Sequence, residues 1–188
     1  MSERLQQDVV TTRTVRLEEC DRGFAGSNYR WGQRRMLKIV SGGQTGTDRA
    51  ALDVAMMCGI PTGGWCPAGR RAEDVLIPDS YQLMETPARN YATRTKWNVR
   101  DSDGTMVLNL GELDGGTLET VEYARRYDKP CLVVQLDEEN HQSLQEVCTW
   151  MREKAVHVLN VAGPRESKRP GIYQQSFDFL ERLLTLRT

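Results

Sequence analysis

The chain has 188 residues, 39% hydrophobic and 27% charged, with 25 basic side chains against 26 acidic ones and a net charge of −1. That length fits one domain with a sizeable core. A charge near zero gives no bulk field for a nucleic-acid polymer or an anionic membrane, and no apolar run approaches the ~18 residues of a membrane span.

Residues 1–35 hold seven arginines and no lysine, with few large apolar residues in any periodic pattern. They are expected to form a loosely ordered extension, or an added strand through the β-branched Val9-Val10-Thr11-Thr12 and Thr14-Val15. Met1 to Arg22 is polar and lacks the apolar core of a secretory signal. The five cysteines (Cys20, Cys58, Cys66, Cys131, Cys148) are scattered, and no pair has CxxC spacing. That pattern suggests neither a zinc site nor a disulfide framework and fits a reduced cytoplasm.

From residue 36 to 188 the pattern reads as a single ligand-binding domain. Leu37–Val40 is a predicted strand, and Ser41 to Asp48 a glycine-bearing turn. Asp48–Cys58 is a predicted helix, with Gly59 as its left-handed cap. Ile60–Trp65 suits a short strand, and Cys66–Met84 an irregular loop. Thr86-Pro87 reads as an N-cap with proline at the first helical position, opening a helix that places Ala88, Tyr91, Ala92, Thr95 and Val99 on one face. Next come a strand over Thr105–Leu110, a glycine turn and a helix over Thr117–Tyr127. Strand Cys131–Leu136, helix Leu144–Glu153, strand Val156–Ala162 and a closing helix Ser176–Leu184 complete the chain. Short, continuously apolar strands alternating with helices predict an α/β, Rossmann-like, doubly wound and mostly parallel sheet with helices on both faces.

In such a sheet, ligands bind outside the carboxyl ends of the strands. Three glycine-bearing turns are expected at that edge. In the first, Ser41, Gly42, Gly43, Gln44, Thr45, Gly46, Asp48 and Arg49 combine backbone donors at a helix N-terminus with hydroxyl, amide and guanidinium groups, the parts of a phosphate cradle. Asp48 suits a helix cap or an acceptor from a ribose or amine. Arg49 suits either a phosphate or a surface carboxylate. The run lacks the G-K-[ST] ending of a Walker A loop and the G-x-G-x-x-G spacing. The second turn offers Gly115, Gly116 and Thr117, with Glu119 as a candidate general acid or base. The third offers Gly163, Arg165, Glu166 and Ser167. Arg70 and Arg71, in the run Gly69–Asp74, belong to a segment able to close over the site as a lid, and Trp65 is placed to stack on a ring. Arg94, Trp97, Asn98 and Asp101 are expected at the opposite edge, as a structural knot or subunit contact. The histidines, His141 and His157, stand apart from the turns. No metal-ligand cluster and no nucleophile–histidine arrangement is evident.

Ser41-Gly42-Gly43-Gln44-Thr45-Gly46-Thr47-Asp48-Arg49-Ala50-Ala51-Leu52-Asp53 resembles the signature of the molybdenum carrier proteins, the circularly permuted YpsA-like members of the SLOG superfamily. Gly63 to Pro67 with Gly69 to Asp74, Trp97 to Thr105 and Asn160 to Ser167 resemble further motifs of that family, so the likeness covers about Met36 to Leu184. It implies a Rossmann-like fold and a small phosphorylated ligand, either a nucleotide or the molybdenum cofactor, whose own dithiolene holds the metal. It also implies homo-oligomerisation. The expected function is thus carriage of that cofactor or nucleotide sensing. The alternative is hydrolysis of a nucleotide N-glycosidic or phosphate bond, as in the related Lonely Guy-type phosphoribohydrolases. Their motif G-G-x-G-T-x-x-E has its glutamate where Thr120 stands here, with Glu119 one position early, about 100° round a helix. Glu166 is then the other candidate carboxylate.

Overall fold

The computed structural model describes residues 37–137 and 144–185. The extension expected over residues 1–35 lies outside the described residues, as does His141. In chain order the elements are β1 (Lys38–Val40), α1 (Thr47–Met57), β2 (Thr62–Gly63), β3 (Trp65–Cys66), β4 (Arg71–Ala72), β5 (Val75–Leu76) and β6 (Met84–Glu85). They continue with α2 (Tyr91–Arg100), β7 (Gly104–Asn109), α3 (Gly115–Arg126), β8 (Cys131–Gln135), α4 (Leu144–Glu153), β9 (Val158–Ala162) and α5 (Ile172–Thr185).

Five strands form the central sheet in the order β2-β1-β9-β7-β8, every pairing parallel. The fold is therefore the Rossmann-like α/β sheet the alternation predicts. The last strand, β9, sits between β1 and β7, so the strands leading to the three glycine turns lie side by side at the middle of the sheet.

The two faces of the sheet differ in chemistry. Successive side chains of a strand point to opposite faces. Ile39, Met106, Leu108, Leu159 and Val161 face one side, in a core closed by Ala51, Val54 and Ala55 of α1, Val147 and Met151 of α4, and Ile172, Phe179, Leu180, Leu183 and Leu184 of α5. Fully burying each large aliphatic of this layer contributes roughly 1.5–3 kcal/mol. The intervening residues of the same strands include Thr105, Asn109 and Asn160, all buried. Asn160 Nδ2 donates to Thr105 Oγ1 across the β7–β9 register at 3.2 Å. The helices near this face bring small or polar residues, Thr95, Asn98 and Val99 from α2 and Thr117, Thr120 and Ala124 from α3. Helices α2 and α3 pack on each other, and α3 lies against β7 and β8.

The helix expected from Thr86 begins instead at Tyr91, capped by Asn90, whose Oδ1 accepts from the Thr93 N–H at 2.9 Å. The reason is backbone commitment: the Thr86 N–H donates to Cys66 O at 2.8 Å and the Ala68 N–H to Ala88 O at 3.0 Å. A segment spent on pairing with 65–68 has no backbone groups left for a helix. That pairing continues the small β3–β6 sheet. The rest of the predicted loop also has structure. Arg71–Ala72 and Val75–Leu76 form an antiparallel hairpin, and Ile77 and Tyr81 join Leu52 and Cys66 in a second, smaller core. Arg70 organises this loop, donating to the carbonyls of Ile77 at 3.0 Å, Pro78 at 2.7 Å and Tyr81 at 3.0 Å.

Candidate functional site

The first turn is welded to its neighbours. The buried Ser41 hydroxyl donates to Val161 O at 2.7 Å, tying the end of β1 to β9. The Thr47 N–H donates to Pro164 O at 3.3 Å, and the Thr47 and Ser176 hydroxyls meet at 3.1 Å. Gly46 is the N-cap of α1, with φ at 75° and no side-chain cap. A Cβ there would lie 2.5 Å from Pro164 O, so only glycine lets the first and third turns touch.

Asp48 is therefore not the cap that the sequence suggests. It sits in the first turn of α1, 2% exposed, where its Oδ2 accepts from the Gln44 N–H at 3.3 Å and from Arg94 Nη1 at 3.1 Å. Burial pushes the Asp48 carboxyl above its ordinary range, opposed chiefly by the charge of Arg94. Arg94 is the clearest departure from expectation: it stands at the glycine turns and not at the opposite edge. The approach is close, since a Cβ on Gly42 would lie 2.0 Å from Arg94 Nη1. Trp97, Asn98 and Asp101 do form a knot. Asn98 accepts from the Trp65 N–H at 2.8 Å and donates to Trp65 O at 3.0 Å. Trp65 Nε1 donates to Asp101 at 2.8 Å, and the Trp65 ring meets Trp97 edge-on at 4.7 Å. These contacts tie Trp65 to α2, and it does not line the cleft described next.

A cleft of about 450 Å³ opens where the three turns converge, within the size range of small-ligand sites. Of the residues expected to bind ligand, Gln44, Asp48, Gly115, Gly116, Thr117, Gly163, Arg165 and Ser167 line it, and the exposed Glu119 lies on its wall. Ser41, Gly42, Gly43, Thr45 and Gly46 build the first turn behind that lining. Arg49 is held elsewhere by a bidentate pair with Asp74, at 2.5 and 2.8 Å, and by donating to Gly43 O at 3.2 Å. Arg70 serves the loop, and the Arg71 guanidinium lies 5.7 Å from the Tyr91 ring centroid. Glu166 caps the start of α5, its carboxylate accepting from the N–H groups of Gly171 at 2.6 Å and Tyr173 at 3.0 Å. Beyond the expected set, the lining adds Tyr91, Arg94, Thr95, Asp114, Thr120, Ala162, Pro164 and Lys168. Tyr91 and Thr95 share the helix face that the periodicity predicts, and a buried polar position on α3 is the signal for Thr120; nothing local marks Arg94.

The charges of the cleft are mostly paired. Arg94 pairs with Asp48, and Lys168 Nζ with Asp114 Oδ1 at 2.5 Å. Arg165 stacks 4.5 Å above the Tyr91 ring centroid, and among the described residues no carboxylate forms a salt bridge with it. Two buried donors of the lining, Gln44 Nε2 and Arg94 Nε, have no hydrogen-bond partner there. The buried unpartnered groups of the cleft are thus donors. No group of three or more histidine, cysteine or acidic side chains suited to a metal ion occurs among the described residues, and no helix among them is long and apolar enough to cross a membrane.

Comparison with known proteins identifies the family. A crystal structure of a protein from Syntrophus aciditrophicus SB, named "Putative molybdenum carrier protein", superposes with a TM-score of 0.74 at 47% identity, covering 80% of this chain and 96% of the other. No curated protein matches significantly. The sequence model described as the circularly permutated YpsA SLOG family matches residues 39–184, from Ile39 in β1 to Leu184 in α5. The chain belongs to the circularly permutated YpsA SLOG family.

Proposed function

We propose that the cleft binds a small phosphorylated ligand of the nucleotide or pterin type, and that the protein is a carrier or sensor of that ligand. The observation that carries this reading is the surplus of donors. Gln44 Nε2 and Arg94 Nε are buried without partners, a costly arrangement unless a ligand supplies acceptors. Arg165, over the Tyr91 ring, adds a guanidinium fork suited to a phosphate. The N-terminus of α3, opened by Gly115 and Gly116, adds its dipole. The molybdenum cofactor fits this donor set as a phosphorylated, acceptor-rich pterin. Its phosphate would be held by Arg165 and its ring edge by Gln44 and Asp48. Its metal would stay on its own dithiolene, since the cleft offers no thiol. The name of the Syntrophus protein favours the same ligand.

Binding is favoured over hydrolysis because the cap of α5 consumes Glu166, which leaves only Glu119 of the two candidate carboxylates on the cleft. Free cysteines at 58, 66, 131 and 148 accord with work in the reducing cytoplasm. Homo-oligomerisation rests on the family likeness. The test is native mass spectrometry of the purified protein, with release and identification of the bound molecule. A phosphorylated pterin with molybdenum, or a nucleotide, is expected to co-purify. Arg165→Ala should weaken its binding by roughly 10- to 100-fold, the loss of one charged hydrogen-bonded contact. Unchanged binding in that variant would sink the assignment.

A further inference from the structure

We infer that the gap between the first and third turns is the subsite for the ligand's oxyanion, and that Glu73 fills it in the free protein, which makes the 71–76 hairpin a competitive lid. This rests on the anionic-ligand reading above.

Three donors from two separate strand-to-helix turns converge on the Glu73 carboxylate. The Thr45 hydroxyl donates to Oε1 and the Ser167 hydroxyl to Oε2. The Ser167 N–H donates to Oε1 at 3.2 Å. The Glu166 N–H, at 3.4 Å, donates to Thr45 Oγ1 and so directs the Thr45 proton towards Glu73. Two hydroxyls and an amide around two oxygens would serve equally for a phosphate ester, a sulfate or another tetrahedral oxyanion. The positive charge of Arg165 acts on Glu73 as well as on Asp48. Burial alone would raise the Glu73 carboxyl, but the hydrogen bonds from Ser167 and Thr45 outweigh it and hold it below its ordinary range.

Backbone groups of Glu73 and Thr45 also hold Gln44. The Glu73 N–H donates to Gln44 Oε1 at 3.0 Å, as does the Thr45 N–H at 3.1 Å. This fixes the Gln44 amide, 3% exposed, with its Nε2 unpartnered on the cleft wall. The hairpin itself is held mainly by polar tethers, with Ala72 packed on the small core. Its second tie is the Asp74–Arg49 pair, while Val75 and Leu76 are 77% and 57% exposed. Val75 also has φ at 96°, a backbone conformation that a β-branched residue adopts only at a cost. Ile77 and Tyr81, just beyond the hairpin, are anchored in the small core. An anion that takes the donors of Thr45 and Ser167 therefore displaces the Glu73 carboxylate and loosens the hairpin at that end, while the Asp74–Arg49 pair and the loop that follows stay in place.

Sulfate is the probe, titrated calorimetrically into the full chain, its Glu73→Ala and Glu73→Gln variants, and the Glu73→Ala/Ser167→Ala double variant. Removing the internal competitor should tighten sulfate binding about ten-fold, if the closed form is populated at roughly nine in ten. Adding Ser167→Ala should abolish that gain, and Glu73→Gln, which keeps the shape but not the charge, should also tighten binding. Sulfate should speed hydrogen exchange across 71–76 in the wild type. Equal or weaker affinity in Glu73→Ala would overturn the lid while leaving the anionic cleft standing. A gain that survives Ser167→Ala would place the anion elsewhere and overturn the subsite. No sulfate binding by any of the four proteins would overturn both readings.

Discussion

Asp48 and Arg94 show how one pair can fix both the shape and the charge of a site. Asp48 is 2% exposed and the Arg94 side chain 13% exposed, so water screens their contact weakly. Removing one partner of such a pair leaves an uncompensated buried charge. Arg94→Met should therefore cost about 3 kcal/mol in denaturant unfolding at neutral pH. The pH dependence has a definite sign. The folded protein holds the Asp48 proton more tightly than the unfolded chain, whose ordinary value is 3.8. The group's contribution to stability is thus complete below that value and is lost as pH rises through the folded value. Without Arg94 the folded value climbs further, so the deficit of the variant should be small in acid and largest at neutral pH. Urea midpoints measured across pH check this; a deficit independent of pH would place the energy of Arg94 in packing instead.

The hairpin of β4 and β5 behaves as an element with its own pH limit. Hydrogen bonds from Arg49 hold the Asp74 carboxyl low, and those from Ser167 and Thr45, outweighing burial, do the same for Glu73. Both folded values lie below the ordinary 4.5 for Glu73 and 3.8 for Asp74. The stabilisation is present above those values and is lost as pH falls through the folded ones. Hydrogen exchange, corrected for its intrinsic pH dependence, should show amides of 71–76 losing protection as pH falls below the ordinary carboxylate values of 4.5 and 3.8. Amides of β7, paired on both sides in the middle of the sheet, should keep theirs. Simultaneous loss in both segments would mean the hairpin has no separate transition.

At the scale of the whole molecule, the sheet separates stability from binding. Leu159 is fully buried in the layer under α1, α4 and α5, while its neighbour Asn160 faces the α2–α3 side that leads to the cleft. Leu159→Ala should cost about 2–5 kcal/mol by leaving a cavity. It should leave sulfate affinity unchanged below the melting transition, as calorimetry on the variant would show; a parallel loss of affinity would mean that the apolar layer also sets the cleft. The sequence by itself determined the parallel α/β architecture, because short apolar strands alternating with amphipathic helices have few other ways to bury their surface. It also located the glycine turns, because Gly42, Gly46, Gly115 and Gly163 follow strands whose direction a parallel sheet makes common. Only the tertiary structure decided which side chains those turns meet. Arg94 reaches Asp48 across 46 residues, and Glu73 reaches Ser167 across 94. Neither link leaves a local pattern, since a helix N-terminus or a charged hairpin reads the same whatever it faces. Likewise Glu166 looked free until the fold brought Gly171 and Tyr173 N–H groups to its carboxylate, and Thr86 looked like a cap until pairing with Cys66 claimed its backbone. Periodicity reports how a segment buries its own surface; partners distant in sequence are set by packing, and the chemistry of this cleft is made almost wholly of such partners.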